Sequence, residues 1–493
     1  MTIMPIRSAA QYLDGLKDDR HIQIDGERVK DVTEDRRFKL AAETLAGLFA
    51  MQHDKKLAPS LTYTSPTTGD PVGMTHLMPK SKDDLVARND AIKVWMDETC
   101  GMLGRSPDYK NVMWSAYAAA GDIFDRDRFK GGDNVRAYHE YVRENDFVMT
   151  HVLVNPQVDR SKPAHLQETD ITAHITKETD AGIVINGARM VATLCALADE
   201  IVVMPAAVRW QTTETIDTTD YSFGFAIPTG TPGLKFVCRP SFADAHSPEV
   251  MDHPFSARYD ESDGLAIFED VLVPWEKVFI HRDPEFDDEV MTAGQIYPHM
   301  VMQSVVRATS KAEFMMALTF ALARTTKIDQ HNPVQLLLAE TMGIAEFCST
   351  CRIAAEAEAF KTEHGIYSPG IRSLQVWQSM FWKMYSRQCE IITTLGAGGL
   401  VAAPSVAELA GEMKESVETY FQSVNADAKS RTTLLRLAYD AALSGFAGRQ
   451  RLYEQYYLGD PNRTQSMWYR SYDVDNHINR IWNMLDSIEK RYG

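Results

Sequence analysis

Apolar and polar positions along the chain fall into three zones. Residues 1–145 carry helical periodicity. In VTEDRRFKLAAETLAGLFAMQHD, Phe38, Ala41, Leu45, Leu48 and Phe49 recur at the spacing that lines one face of a helix. SKDDLVARNDAIKVWMDETCGML predicts a second amphipathic helix, with Asp83 and Asp84 at the end where the helix dipole favours negative charge. In GRSPDYKNVMWSAYAAAG, Ser106 takes the N-cap position and Pro107 the first helical one, and the helix is expected to stop near Gly121.

Residues 146–282 change to short β-rich runs between turn signals, among them FVMTHVLV, GIVINGARMVA, EIVVMP, SFGFAIP and LAIFEDVLVP. Asn186-Gly187 predicts a hairpin turn. From residue 283 to 493 long helical stretches return, and four of them predict a bundle. The expected fold is therefore α+β in three parts: a helical domain over 1–145, an antiparallel β-barrel or sandwich over 146–282, and a C-terminal helical bundle over 283–493.

Composition narrows the class. At 493 residues, 44% hydrophobic and 24% charged, the chain reads as a globular protein with room for a large core. Its net charge of -17, with no basic cluster, argues against nucleic acid and anionic membranes as partners. Six cysteines fit a reducing compartment. The N-terminus lacks the apolar core of a signal peptide and no run of 18 apolar residues occurs, so a cytoplasmic protein with no membrane span is expected.

Two motifs invite cofactor readings that their context does not support. GAGG (Gly396–Gly399) follows a helical pattern rather than a strand, so it reads as a glycine-rich helix stop and not as a dinucleotide fingerprint. CSTC (Cys348, Cys351) lies within a helical pattern without further ligands, so it reads as two core thiols, and no metal site is expected. Three other places suggest a ligand pocket. RSPDY puts Arg105 just before a helix and Tyr109 on its first turn, a fixed set of donors beside a phenol tip. MTHVLVNPQVDRS puts His151 in an apolar strand, followed by Asn155, Gln157 and Arg160. Thr193 stands in an otherwise apolar turn. Each has a plain structural alternative: a surface arginine and a packed tyrosine, a hydrogen-bonded core histidine, loop decoration, a strand-end threonine.

Taken in order, MLGRSPDY, THVLVNPQVDRS, GIVINGARMVATLCALADEIVV, FEDVLVPWEKVF and FAGRQRLYEQYYLGDPNR resemble the flavin-dependent 4-hydroxyphenylacetate 3-hydroxylase family, and the resemblance spans nearly the whole chain. FEDVLVP by itself is similar to the wider acyl-CoA dehydrogenase superfamily. The resemblance implies an acyl-CoA dehydrogenase-like fold and a homotetramer built as a dimer of dimers. It implies FAD, used as FADH2 (FMN being the alternative), between the β domain and the bundle. A separate NAD(P)H:flavin reductase would supply it. The implied activity is that of the oxygenase component of a two-component monooxygenase, hydroxylating a phenol ortho to its hydroxyl with molecular oxygen through a flavin C4a-hydroperoxide. It also implies residue roles. Arg105, Tyr109 and His151 match substrate-pocket positions. Asn155, Gln157 and Arg160 turn towards the flavin, Thr193 lies near flavin N5, and Gly459 and Asp460 belong to a C-terminal flavin-contacting loop.

The family's substrate-covering loop reads AAVRWQTTETID here. It opens on Ala206 and Ala207, with no hydroxyl before Thr212, leaving Arg209 or Trp210 to meet the substrate. A halogenated or larger phenol is thus the alternative substrate. A 4-hydroxybutyryl-CoA dehydratase would need three cysteines and a histidine, where only Cys100 and His299 are near the matching places. An acyl-CoA dehydrogenase would need a carboxylate base such as Glu356 or Glu358, and a non-enzymatic scaffold would need none of this chemistry.

Overall fold

The structure, a computed structural model, describes residues 5–159, 161–162, 166–167, 171–205, 218–243 and 249–492. Arg160, Ala206, Ala207, Arg209, Trp210 and Thr212 lie outside the described residues.

Three helices of the first zone matter for the site. Helix α1 is Lys39–Met51 and buries Ala41, Leu45, Leu48 and Phe49. Helix α2 is Lys82–Glu98. It opens on a capping box: Ser81 Oγ accepts the Asp84 N–H at 3.0 Å, and the Asp84 carboxylate accepts the Ser81 N–H at 3.0 Å. Helix α3 is Pro107–Ala119, and every residue from Pro107 to Ala118 is buried. A helix buried on all faces lies inside a molecule rather than on it, which sets Arg105 and Tyr109 deep.

Strands β1 (His21–Ile24) and β2 (Glu27–Arg28) also come from the first zone, where the periodicity predicts only helix. The second zone supplies β3 (Met149–Val152), β4 (His174–Thr179), β5 (Gly182–Thr193), β6 (Glu200–Val203), β7 (Phe223–Pro228), β8 (Leu234–Cys238), β9 (Asp263–Pro274) and β10 (Val278–His281). They form a six-stranded sheet in the order β2-β1-β8-β9-β5-β4 and a four-stranded sheet in the order β10-β7-β6-β3, neither closed on itself. The expected antiparallel unit is corrected in detail, since β1 runs parallel to β8 and β3 parallel to β6. Phe225 of β7 meets Phe268 of β9 between the sheets, with ring centres 6.1 Å apart.

The hairpin expected at Asn186-Gly187 is not there. Both residues lie inside β5, and the β4–β5 hairpin turns between Thr179 and Gly182. Gly187 has φ +104°, and a Cβ there would stand 2.5 Å from the Thr172 carbonyl oxygen. The glycine serves a β-bulge, where β5 and β9 slip register between Phe268 and Val271. Asn186 spans the bulge, its Oδ1 accepting the Asp270 N–H at 2.9 Å. A glycine that suits a tight turn suits a bulge for the same reason, a positive φ.

The last zone holds α4 (Ile296–Thr325), α5 (Asn332–Ala357), α6 (Ile371–Gly396), α7 (Ala428–Ala442) and α8 (Gly445–Tyr456). Helix α4 packs on α2, α3, α5 and α6, and so joins the first zone to the bundle. Helix α6 ends at Gly396, and Ala397 leaves it with φ +43°, so GAGG is the helix stop it was read as. Cys348 and Cys351 are buried free thiols in α5. The chain closes with α9 (Pro461–Ser471) and α10 (Asp475–Tyr492), neither of which buries a residue. Among the described residues, no helix is long and apolar enough to cross a membrane.

Candidate active site

Arg105 precedes the N-cap of α3, and its surroundings come from four parts of the chain. Its backbone N–H donates to Glu261 Oε1 at 2.5 Å. Its guanidinium carbon lies 4.5 Å from the ring centre of Tyr109, 4.6 Å from that of Tyr457 and 5.4 Å from that of Tyr453. Nη1 donates to Tyr453 Oη at 2.8 Å, and Nη2 faces His151 Nε2 at 3.4 Å. The Tyr109 and His151 rings stand 5.8 Å apart. Arg105, Tyr109 and His151 therefore meet, as the family resemblance implied.

The electrostatics of the cluster follow from burial. Burial alone would lower the Arg105 pKa, but Tyr453, Tyr109, Tyr457 and Glu261 outweigh it and raise it above its ordinary value. Burial also raises the Tyr109 phenol. His151 lies on β3, buried at all four positions. Burial, the charge of Lys110 and the charge of Arg105 push its pKa well below the ordinary imidazole value. Arginine can only donate, so the neutral ring accepts at Nε2 and carries its proton on Nδ1. That Nδ1 is buried and has no partner among the described residues.

A continuous polar network runs from this cluster to Thr193. Glu261 Oε2 accepts Arg449 Nη1 at 2.7 Å. Arg449 also donates to both oxygens of Asp263, at 2.7 and 3.0 Å. Asp263 accepts Arg239 Nε at 2.9 Å and the Thr193 hydroxyl at 2.6 Å. Burial would raise the Asp263 carboxyl, but Arg449, Arg239 and Thr193 hold it well below the usual carboxylate range. The Thr193 hydroxyl thus gives its single proton away, and its lone pairs remain for a donor. The Thr150 hydroxyl donates to the Thr193 carbonyl, tying the end of β5 to the strand that carries His151. Val191 (φ +65°) and Leu194 (φ +69°), on either side of Thr193, take the left-handed region, a strained backbone above all for the β-branched Val191.

The remaining expected residues are placed unevenly. Asn155 Oδ1 accepts Arg189 Nη1 at 2.5 Å, and the same nitrogen donates to the Leu153 carbonyl at 3.0 Å. Arg189 is buried, and its Nε and Nη2 have no partner among the described residues. Gln157 is exposed. Beside these loops Val154, Met190 and Val191 are exposed apolar side chains, with Val154 bridged to Met190. Gly459 takes φ +107°, and Asp460 caps α9, accepting the Asn462 N–H at 2.7 Å. Of that segment only Tyr457 reaches the Arg105 cluster.

Glu261, Asp263, Arg449, Lys110 and Tyr453 were not singled out in the sequence. Tyr453 and Tyr457 carried a signal, being four residues apart on one helix face, and their rings stack at 4.7 Å. Two residues considered for other chemistries have partners of their own. His299 Nδ1 takes the Arg88 Nη2 donor at 2.7 Å, and Glu356 is engaged by Asn89 and Arg352. Among the described residues no group of three His, Cys, Asp or Glu side chains could hold a metal ion.

Comparison with known proteins agrees with the whole chain. The family described as 4-hydroxyphenylacetate 3-hydroxylase N terminal matches residues 8–280, and its C-terminal counterpart matches residues 288–486. A 4-hydroxyphenylacetate 3-monooxygenase oxygenase component of Thermus thermophilus is 38% identical over 477 residues, 96% of either chain. A crystal structure of such an oxygenase component with FAD and 4-hydroxyphenylacetate superposes with a TM-score of 0.92 at 37% identity, over 99% of this chain and 100% of that one. An archaeal 4-hydroxybutyryl-CoA dehydratase from N. maritimus shares the fold alone, with a TM-score of 0.87 at 19% identity, over 98% of this chain and 95% of that one. With the two family regions matching residues 8–280 and 288–486, this chain belongs to the 4-hydroxyphenylacetate 3-hydroxylase family.

Proposed function

We infer that this chain is the oxygenase component of a two-component, FAD-dependent monooxygenase that hydroxylates a phenol, of the 4-hydroxyphenylacetate kind, ortho to its hydroxyl. The observation that carries the reading is the buried Arg105–Tyr109–His151 cluster, which sets a guanidinium, a phenol and an imidazole side by side. Such donors in a dry site favour a phenol's oxygen as it becomes anionic, and a phenolate ring attacks an electrophile more readily. His151 is proposed to meet that oxygen by hydrogen bond, its ring kept neutral by burial and by the charges of Lys110 and Arg105. Arg105 holds the charge, and Tyr109 orients the ring.

The residues present fit a reduced flavin. Thr193 offers a hydroxyl lone pair, as an N5–H donor requires, while Asp263 keeps the proton of that hydroxyl turned away. Exposed Val154, Met190 and Val191 beside Asn155 make an apolar seat with a polar edge, which suits a flat heterocycle. Gln157, Gly459 and Asp460 are proposed to complete the seat. The reduced flavin supplies two electrons and, with molecular oxygen, the oxygen atom that is transferred. The flavin is proposed to arrive from a separate NAD(P)H:flavin reductase, as the likeness to oxygenase components supports.

The same reading takes the chain to be a cytoplasmic homotetramer. In α10, Ile478, Ile481, Trp482, Leu485 and Ile488 form an apolar stripe at helical spacing, and all are exposed in the single chain. Such a stripe asks for a partner surface.

The test is product analysis after mixing the protein with FADH2, oxygen and 4-hydroxyphenylacetate. Formation of 3,4-dihydroxyphenylacetate is expected. Peroxide without catechol from every phenol in a panel, halogenated and larger ones included, would overturn the reading.

A further inference from the structure

Arg105 is held by groups that do not neutralise it. Its Nη1 donates to Tyr453 Oη at 2.8 Å, and its Nη2 faces His151 Nε2 at the longer distance of 3.4 Å. A phenol and a neutral imidazole accept hydrogen bonds without bringing a negative charge. The carboxylate close by, Glu261, is engaged elsewhere: it accepts the Arg105 backbone N–H and Arg449 Nη1. A carboxylate paired with the guanidinium would offset its charge and compete with a ligand for its donors. The bond to Tyr453 is thus the firm side-chain anchor. Because the guanidinium is a rigid planar fork, fixing Nη1 also sets where Nη2 points.

Tyr453 is itself fixed from several sides. It lies on α8 and is half-buried. Its ring stacks on Tyr457 at 4.7 Å, and the guanidinium carbons of Arg449 and Arg307 lie 4.5 and 5.6 Å from its centre. Glu454, the next residue, is bound by Arg307 and Lys311. The tip of the ring lies against Gly104, the residue before Arg105. A Cβ there would stand 2.1 Å from the Tyr453 Oη and 2.2 Å from its Cζ. Any larger residue at 104 would push the hydroxyl away from Arg105. Burial, with Tyr457 and Glu261, holds the Tyr453 phenol well above its ordinary value against the charges of Arg105 and Arg307, so the hydroxyl stays neutral.

We propose that Tyr453 is a positioning residue for the hydroxylation: its neutral hydroxyl aims Arg105 at the phenol oxygen and leaves the charge of the guanidinium whole for that oxygen. The inference rests on the phenol reading above. Tyr453 acts through Arg105, so its effect is on how readily the bound phenol ionises, since a nearby cation favours the phenolate. Gly104 has a share in this, as the residue that makes room for the hydroxyl.

The experiment measures catechol formation from 4-hydroxyphenylacetate across pH 6 to 9, in wild type and in Tyr453→Phe, with FADH2 supplied directly. Tyr453→Phe keeps the ring and its stacking and removes only the acceptor. The variant is expected to be at least tenfold slower than wild type at pH 6, with the change in kcat rather than in KM. The ratio of variant to wild-type rate is expected to rise at least fivefold from pH 6 to pH 9, because the phenol then ionises without help. Effects of pH on the flavin act on both proteins and cancel in that ratio. A ratio that does not change with pH, at any level of activity, would overturn the proposal, because a purely structural loss lowers the rate equally throughout. A change confined to KM would overturn it too. Should Tyr453→Phe misfold, Gly104→Ala supplies the same test, and it is expected to reproduce the rise of the ratio with pH. Failure of the phenol reading would look different, with no catechol from wild type at any pH.

Discussion

Arg105 is fixed by contacts from Glu261, 156 residues away, and Tyr453, 348 residues away. Its fork of donors serves two partners at once, and a lysine cannot reproduce that geometry. Arg105→Lys is expected to lower catechol formation by roughly a hundredfold, the usual scale for removing one donor to a developing oxyanion, with thermal stability as the control. His151→Ala is expected to leave flavin binding intact and to uncouple oxygen use from hydroxylation. Equal coupling in mutant and wild type would remove His151 from the mechanism. The pH profile of kcat/KM is expected to show no inflection near 6.5 from His151, because its folded pKa lies well below that value. At this scale the helix start at Ser106-Pro107 and the strand around His151 were legible as local patterns, while the grouping of Arg105, Tyr109 and His151 came from the resemblance of the motifs taken in order. Lys110, Glu261 and Asp263 were not legible. What distinguishes a lysine set near a histidine, or a carboxylate shared by two arginines, is contact between residues far apart in sequence.

Two elements meet through one carboxylate. Glu454 of α8 takes Arg307 of α4 in a bidentate pair at 2.6 and 2.8 Å and Lys311 at 2.5 Å, all three buried. Burial would raise the Glu454 carboxyl, but Arg307 and Lys311 hold it down to about 2. Its stabilising share is therefore complete above the unfolded carboxylate range and is lost as pH falls through about 2. Glu454→Gln is expected to destabilise by about 3–5 kcal/mol, since it strands buried cations, whereas Glu340→Gln at the exposed pair with Arg387 should change stability by less than about 1 kcal/mol. Urea unfolding of the two variants checks this. Glu200 of β6 has the opposite sign. Burial pushes its carboxyl up to about 7, so it destabilises the fold progressively as pH rises from the unfolded carboxylate range to about 7. Glu200→Gln should gain stability over wild type at pH 8 relative to pH 5, by about 3 kcal/mol at most. Equal effects at both pH values would contradict the assignment. The long helices were readable because their period persists for several turns. Strands β1 and β2 were missed because two to four residues carry no period; β1 is placed by pairing with β8, more than 200 residues on, and β2 by pairing with β1. Asn186-Gly187 was misplaced because a bulge and a turn ask for the same backbone conformation.

For the whole molecule, the three-zone pattern anticipated helices, then sheets, then a bundle, because each zone has its own periodicity. It did not show that α4 would pack on both the first zone and the last, because helix contacts follow from complementary surfaces rather than from period. The unpartnered stripe of α10 belongs to this scale. Replacing Trp482 and Leu485 by glutamate should reduce the mass measured by sedimentation to that of the 55.5 kDa chain, whereas wild type is expected to sediment as a tetramer. A wild-type monomer would contradict that assembly. The central claim is that the Arg105–Tyr109–His151 cluster directs oxygen from reduced flavin into a phenol ring. The most direct test is a single turnover with ¹⁸O₂. Protein loaded anaerobically with FADH2 and 4-hydroxyphenylacetate is mixed with the labelled gas and quenched. The account predicts a catechol carrying one labelled oxygen atom, in near-equal amount to the FADH2 oxidised. Complete oxidation of FADH2 with labelled peroxide and no labelled catechol would contradict it.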